Sequence, residues 1–492
     1  MKKNLVIIMA DQLRYDVLSP ELTPNIWSIR EEGIAFVNAY TACPLCVPAR
    51  GAFFTGTYPN RNGSLINPWV EEDKEHGLVK EGFDNLYTMM CKDYQVIHSG
   101  KQHLYTEGGK LEHRPYFGVD FITTEESYAE FLAKNGKKRP GGLKFKSIVP
   151  EMVSGRNTRA ARYSNPNTGI YEPGEDYYFD GYFTNETIKA LKARDREKPL
   201  FLSAMFVAPH PPLEIPEKWY RHVRNEDFEL PENVAQFYKY QSPLQLYNLT
   251  GAIGTHYTKS EWKESWRTYL GLVAYLDHLV GRIIAELKEQ GIYEDTAIIF
   301  TADHGEMLGS HSLYQKMCMY EESSHVPLFM RFPDGFITGK QKEYESYVSL
   351  IDVIPTLSEL FGLEHTNGFD GVSLVDLIEK GDDAVPARPV FMQYDGNGAR
   401  SNFQRSVIID GYKLIVDLFQ DEYYLELYNL EEDREEKENL IFSSEEHDSF
   451  VCSMIERLRR HMEETGDLIE LPEIDISRFR REHASIGAKQ FN

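Results

Sequence analysis

Positive charge is what this sequence is short of. Its 492 residues carry 53 Lys and Arg against 77 Asp and Glu, a formal net charge of −24 with histidine neutral. Nucleic acids and anionic membrane surfaces need a cationic face to neutralise phosphate, so the bulk charge disfavours both as partners. Cysteine is sparse: Cys43, Cys46, Cys91, Cys318 and Cys452 make an odd set of five. That does not suggest a disulfide framework, and a reducing, cytoplasmic setting is the simpler expectation. Long apolar runs are missing as well. The N-terminal run Leu5–Ala10 follows two lysines but stops at Asp11 with no small-residue cleavage pattern, so it reads as a buried strand rather than a signal peptide. No stretch approaches the ~18–20 consecutive apolar residues of a membrane-spanning helix. Internal repeats are absent too.

What is present is ordinary globular composition, 41% apolar and 26% charged, in a chain long enough for a large core and a second domain. Short runs rich in β-branched and aromatic residues alternate with segments of helical period, the pattern of an α/β fold with a large, mostly parallel sheet flanked by helices. The clearest runs are Leu5–Ala10, Tyr94–His98, Leu200–Val207, Ala297–Thr301 and Pro327–Phe332. Trp266–Leu287 keeps its apolar residues at helical spacing and leads into the Ala297 strand. From Glu379 to Arg388 the chain turns polar, and strand candidates follow at Pro389–Gln393, Arg405–Ile409 and Tyr412–Val416. An acidic tract from Asp421 to Glu446 holds eleven carboxylates and two bases. The division expected is a catalytic domain over 1–384 and a smaller C-terminal α+β domain over 385–492.

Asp11-Gln12 follows the first strand, Lys101 and His103 the second, His210 the third, and Asp303-His304 the fourth. In open α/β sheets the ligand crevice lies beyond the carboxyl ends of the strands. Any one such residue is more often a helix cap or a solvated group. Four segments ending this way point to a site.

The segment Cys43-Pro44-Leu45-Cys46-Val47-Pro48-Ala49-Arg50 has three readings. Its C-x-x-C spacing suits a dithiol or half a zinc site, although no second such pair exists. Both thiols also read as small buried apolar groups. In the third reading, Cys46-x-Pro48-Ala49-Arg50 with Thr55-Gly56 resembles the signature of type I sulfatases of the alkaline phosphatase superfamily, in which that cysteine is oxidised to formylglycine. Thr23-Pro24-Asn25-Ile26, Phe36–Tyr40 and Tyr58-Pro59-Asn60-Arg61 resemble the same family, as do Gly100-Lys101-Gln102-His103-Leu104, Ala208–Pro212, Thr301–Glu306 and Lys316 ahead of Tyr320-Glu321. Leu427–Leu430 and Glu438–Leu440 resemble its closing segment, with Asp433-Arg434 where Asp-Pro is usual.

The resemblance implies an alkaline phosphatase-like fold and a sulfatase acting on a small sulfate monoester, a sugar or aryl sulfate. Asp11, Gln12, Asp303, His304 and the residue made from Cys46 would hold a divalent cation. Ca²⁺ is favoured, and Mg²⁺, Mn²⁺ and Zn²⁺ stay open. One hydroxyl of the hydrated aldehyde would attack sulfur, with His103 the base for the second step. Arg50 would orient the hydrate, Lys101 and Lys316 would bind sulfate oxygens, and His210 with Lys316 would protonate the leaving oxygen. A formylglycine-generating or anaerobic maturase is the implied partner; the oligomeric state is not implied.

Gln12 and His304, where many sulfatases carry Asp and Asn, resemble choline-sulfatase-like enzymes and phosphonate monoester hydrolases. Asn67 falls where the latter place a site asparagine, so phosphonate monoester or phosphodiester hydrolysis is the runner-up. A reading of another class is an anion-binding pseudoenzyme in which Cys46 stays a thiol. His311 is open between touching substrate and packing. The loops Tyr105–Tyr116, Tyr163–Tyr178 and Phe237–Tyr257 are expected to build the pocket.

Overall fold

The apolar run after the first lysines forms β1, Asn4–Asp11, and all eight of its residues are buried. A strand covered on both faces reads as continuous apolar sequence because helices pack on each side of a parallel sheet. In this computed structural model, which describes residues 2–111, 118–153, 157–224 and 228–490, β1 lies inside a nine-stranded sheet. The other strands are β2 (Ile34–Tyr40), β3 (Gln95–Gly100), β4 (Val119–Phe121), β5 (Leu200–Pro209), β6 (Thr296–Ala302), β7 (His325–Arg331), β8 (Glu343–Tyr344) and β9 (Val348–Ser349). Their order is β8-β2-β7-β6-β1-β5-β3-β4, with β9 also on β2. β6, β1, β5, β3 and β4 run parallel, while β7 is antiparallel to both neighbours.

Register decides where the ends fall. Ala10 faces Ala302, Asp11 faces Pro209, and Gly100 faces Met205. The residues after β6, β1, β5 and β3 therefore emerge side by side along one edge, as the sequence pattern implied. All five strands expected for this sheet are present. β2 was not among them; its residues entered only through the family resemblance.

The main helices are α1 (Pro24–Glu32), α2 (Cys46–Thr55), α3 (Phe179–Ala193) and α4 (Lys259–Glu289). α4 begins seven residues before the periodic segment because Thr258 and Glu261 close a capping box around its first turn. The polar stretch after Glu379 is partly helical, with a 3₁₀ turn at Asp382–Ala384. No helix of the described residues is long and apolar enough to cross a membrane.

The smaller C-terminal domain is built on a four-stranded antiparallel sheet of β10 (Val390–Tyr394), β11 (Phe403–Ile409), β12 (Tyr412–Phe419) and β13 (Glu422–Asn429). Asp410 and Gly411, both with positive φ, make the two-residue turn between β11 and β12, a conformation whose twist suits a hairpin. The helix α5 (Asp448–Thr465) lays Val451, Met454, Ile455, Leu458 and Met462 on this sheet. The acidic tract is not one solvated loop. It contains β13, and its Glu426 and Glu436 are fully buried.

Glu426 accepts from Ser242 N at 2.9 Å, Tyr320 OH at 2.8 Å and Tyr428 OH at 2.9 Å. Asp417 accepts from Ser242 Oγ at 2.8 Å. Burial pushes both carboxyls up to about 7. The folded state thus retains protons that an unfolded chain has released above about pH 4. The unfolded chain binds fewer protons, so stability falls as pH rises from about 4 to 7 and levels off above that window. The slope is up to ~1.4 kcal/mol per pH unit for each retained proton. Asp417→Asn is expected to flatten this slope in denaturant midpoints measured from pH 4.5 to 8; an unaltered slope would refute the assignment.

Candidate active site

Cys46 is the first residue of α2, and every residue of that helix is buried. Asn67 supplies the cap from outside: its Oδ1 accepts from Val47 N at 3.2 Å, and its Nδ2 donates to Asn397 Oδ1 at 2.9 Å. Arg50 stands one turn further on, so Cys46 and Arg50 share a helix face. That face meets the ends of β1 and β6. Arg50 Nε donates to Asp303 Oδ2 at 2.9 Å and its second terminal nitrogen to Asp11 Oδ2 at 3.0 Å, with all three side chains at 0% exposure.

This fork holds the outer oxygens of both carboxylates and turns the inner ones toward Cys46. Asp11 Oδ1 is 3.9 Å from Cys46 Sγ, and His304 Nε2 is 3.2 Å from it. Asp303 Oδ1 accepts from Gln12 N at 3.2 Å and lies 3.6 Å from His304 Nε2. One ligand atom from each of Asp11, Cys46, Asp303 and His304 falls within 4.8 Å of every other. His304 Nδ1 is 2.9 Å from Gly305 O, which places the proton on Nδ1 and leaves the Nε2 lone pair facing the cluster. Two carboxylate oxygens, an imidazole nitrogen and a sulfur converging in a buried space form a donor set that fits a divalent cation.

Gln12 stands beside this set. Its side-chain nitrogen donates to Glu306, and its Oε1 accepts from Lys316 Nζ at 2.6 Å. Glu306 is a residue the sequence reading gave no role. Its carboxylate also accepts from Leu308 N and Gln315 N, so it pins Gln12 and the Lys316 loop together. Lys316 Nζ also lies 3.3 Å from His210 Nε2, and His210 Nδ1 is 2.6 Å from Pro211 O.

Gly100 ends β3 with φ +92°, where a Cβ would stand 1.9 Å from Met205 O. Only glycine turns the chain there. The turn delivers Lys101 Nζ to 2.5 Å from Asp11 Oδ2 and 4.0 Å from Cys46 Sγ. His103 follows with φ 49° and a buried Nδ1 that has no hydrogen-bond partner among the described residues. Gln12, Gln315 and Met317 also have positive φ. Left-handed backbone at non-glycine residues costs of order 1–3 kcal/mol each and gathers where geometry serves a site.

Burial and Asp11 oppose ionisation of the Cys46 thiol, but Lys101, Lys316 and His304 outweigh them and hold its pKa below the usual thiol value. Cys43 is the reverse: burial, and then Asp395, push its thiol well up. Both thiols are unpaired, and only that of Cys46 is held below the usual value by the lysines. Burial, with Lys101 next, drives His103 and His210 well below the ordinary histidine value. Both rings are neutral at neutral pH.

The structure brings Asp11, Gln12, Cys46, Arg50, Lys101, His103, His210, Asp303, His304 and Lys316 to one place. Two further expected residues are held by other contacts. Asn67 has both side-chain ends engaged in holding α2 and its surroundings. His311 stacks on Tyr320 at 4.0 Å and directs Nε2 to Glu435 O at 3.0 Å, so it packs away from the cluster. Arg50 grips the carboxylates and Lys101 O, and none of its recorded hydrogen bonds reaches Cys46.

Lys101, His103 and His210 line a cavity of about 970 Å³. Its walls differ from the expected loops. The segment 125–146 and α3 contribute most of the lining, 163–178 gives only Ser164, and 237–257 gives none. Leu244 packs instead in the C-terminal core. Residues 112–116 of the first expected loop lie outside the described residues.

Comparison with known proteins matches the sulfatase family model over residues 3–363 and the C-terminal model of N-sulphoglucosamine sulphohydrolase over residues 309–464. An arylsulfatase of Clostridium perfringens is 29% identical over 403 residues, 77% of this chain and 79% of the relative. A choline-sulfatase of Rhizobium meliloti is 27% identical over 414 residues, 80% of this chain and 74% of its own. The fold is similar to that of a phosphonate monoester hydrolase of Agrobacterium radiobacter, with a TM-score of 0.75 at 22% identity, covering 94% of this chain and 96% of that one.

Proposed function

The chain belongs to the sulfatase family, and from that premise we propose that this sulfuric ester hydrolase works at the Cys46 cluster, with Cys46 oxidised to formylglycine and Ca²⁺ beside it. The observation that carries this reading is the buried convergence of Asp11, Cys46, Asp303 and His304 within 4.8 Å, with two lysines and two histidines over it. Gln12 joins the set if its Oε1 exchanges Lys316 for the cation. When bound, the oxidised residue would supply a hydrated aldehyde as nucleophile and the cation a Lewis acid for a sulfate oxygen.

The chain's own groups do the rest. Lys101 and Lys316 place compact positive charge on the sulfate oxygens. His103, neutral and with a free Nδ1, has the lone pair that a base needs. His210 presents Nε2 to Lys316, so a proton on that pair is available to the leaving oxygen. Arg50 fixes the carboxylates rather than touching substrate. Cys46 is 3% exposed, so a maturase meets it before the chain closes. The unpaired cysteines support a cytoplasmic location.

The phosphonate reading rests on Gln12 and His304 with Asn67, whose side chain is held by Val47 and Asn397; the Gly100-Lys101-Gln102-His103 element is sulfatase-like, so sulfate stays first. The test is kcat/KM for an aryl sulfate against an aryl phosphonate monoester. The sulfate is expected to win; a large phosphonate preference would reverse the ranking. Mass spectrometry of the Cys46 peptide from the native host is expected to show the aldehyde. An entirely unmodified thiol there would leave the anion-binding pseudoenzyme.

A further inference from the structure

The cavity over the cluster carries the charge that the chain as a whole lacks. At about 970 Å³ it sits at the upper end of the roughly 300–1,000 Å³ of small-molecule sites and holds far more than one sulfate group. Beyond Lys101, its wall presents Lys137, Lys138, Arg139 and Lys146 against the single carboxylate of Glu125. In a chain with 77 acidic and 53 basic side chains, four further cations on one wall run against composition.

Among the described residues these cations lack anionic partners. Arg139 lies over the Phe179 ring at 5.4 Å and Lys137 over the Tyr177 ring at 5.2 Å. Lys146 opens a hairpin strand opposite Ser164 and donates to its Oγ at 3.0 Å. Among the described residues none of Lys137, Lys138, Arg139 and Lys146 forms an ion pair with a carboxylate. Desolvation at the wall, with Arg139 and Lys316 beside it, lowers the Lys146 pKa.

The cavity lining also includes aromatic surface. Trp69, 51% exposed, stands edge-on to His103 at 5.6 Å and to Tyr105 at 6.0 Å. An exposed indole beside the reacting centre offers a face to a ring rather than to a flexible chain. Cations left without partners around a cavity attract anions strongly, and a guanidinium grips a carboxylate or sulfate with two parallel bonds.

We infer that the substrate is a saccharide with a second anionic group, a further sulfate or a carboxylate, which Arg139 and Lys146 bind while the scissile sulfate lies on Lys101 and Lys316. This rests on the sulfatase reading above. The experiment uses the matured full-length enzyme with four substrates: an aryl monosulfate, a monosulfated hexosamine, the same sugar with a second sulfate, and a uronate-linked monosulfated disaccharide. The doubly anionic sugars are expected to exceed the monosulfated one in kcat/KM by about tenfold, mostly through KM, as one charge-assisted contact allows. Preference for the second sulfate or for the uronate identifies which anion is read.

In Arg139→Ala and Lys146→Ala the ratio of doubly to singly anionic turnover is expected to fall at least fivefold. Both side chains are exposed, so folding is not at stake. Equal turnover of one and two anions, or variants that leave the ratio unaltered, would overturn the subsite while aryl sulfate turnover keeps the sulfatase reading. No turnover of any sulfate ester would overturn both.

Discussion

Cys46→Ala is expected to abolish sulfate ester turnover, by on the order of 10⁴–10⁶-fold in kcat, the scale seen when a covalent nucleophile is deleted from an assembled site. The fold is expected to survive. Cys46 contributes one buried sulfur, a loss of about 1 kcal/mol on the scale of a buried methylene. The start of α2 does not depend on it, because the Val47 amide is capped by Asn67. Arg50 keeps its hold on Asp11 and Asp303. The matched control is Cys43→Ala, which removes a thiol of the same size three residues away that is fully buried. Turnover in that variant is expected to stay within about tenfold of wild type, since burial and Asp395 outweigh Arg405 and keep the Cys43 thiol from ionising. The measurement is single-turnover and steady-state kinetics on an aryl sulfate, with circular dichroism and thermal melting on both variants. Activity retained in Cys46→Ala would place the chemistry elsewhere, and activity lost equally in both would revive the dithiol.

Much of this site was legible because it lies where periodicity ends. Asp11, Lys101, His210 and Asp303 each follow a run that can only be a buried strand. A parallel sheet delivers such residues to one edge whatever the helices between them do. The pairing of Cys46 with Arg50 was legible only through the family resemblance. What escaped was set by tertiary contact. The part of Asn67 depends on Val47 and Asn397, 20 and 330 residues away, and no local pattern distinguishes a distant cap from a substrate ligand. His311 sits in a segment where Leu308, Gly309, His311, Ser312, Gln315 and Met317 have positive φ, a pattern that no propensity foretells. β13 was hidden by its acids: Glu426 in mid-strand looks like a solvent-facing residue until Tyr320, Tyr428 and Ser242 are found around it. The cationic wall was missed for a related reason. Lys137, Lys138 and Arg139 belong to no motif, and only the fold shows that they overlook the same cavity as Lys146 and His210.

Arg50→Ala is expected to destabilise the protein by about 3–5 kcal/mol, the usual consequence of removing one member of a buried ion pair and leaving its partner charged and unpaired. Here two partners are left. Asp11 keeps Lys101 at 2.5 Å, but Asp303 loses its only charged side-chain contact besides His304 among the described residues. Arg50→Lys restores the charge without the fork. One ammonium cannot satisfy Asp11 and Asp303 and also the Lys101 carbonyl in the geometry of three guanidinium N–H groups, so an intermediate loss is expected. The cation makes the effect conditional. A divalent ion binding the folded state alone raises stability with its concentration, and with Arg50 gone it would be the main remaining counter-charge for Asp303. Thermal melting of the matured enzyme is therefore expected to show a larger gain on adding Ca²⁺ in Arg50→Ala than in wild type, and chelation is expected to widen the gap between them. A variant that melts with the wild type would mean that the fork carries no stability. A melting temperature unmoved by Ca²⁺, Mg²⁺, Mn²⁺ and Zn²⁺ alike would mean that Asp11, Asp303, His304 and the residue made from Cys46 do not hold a metal.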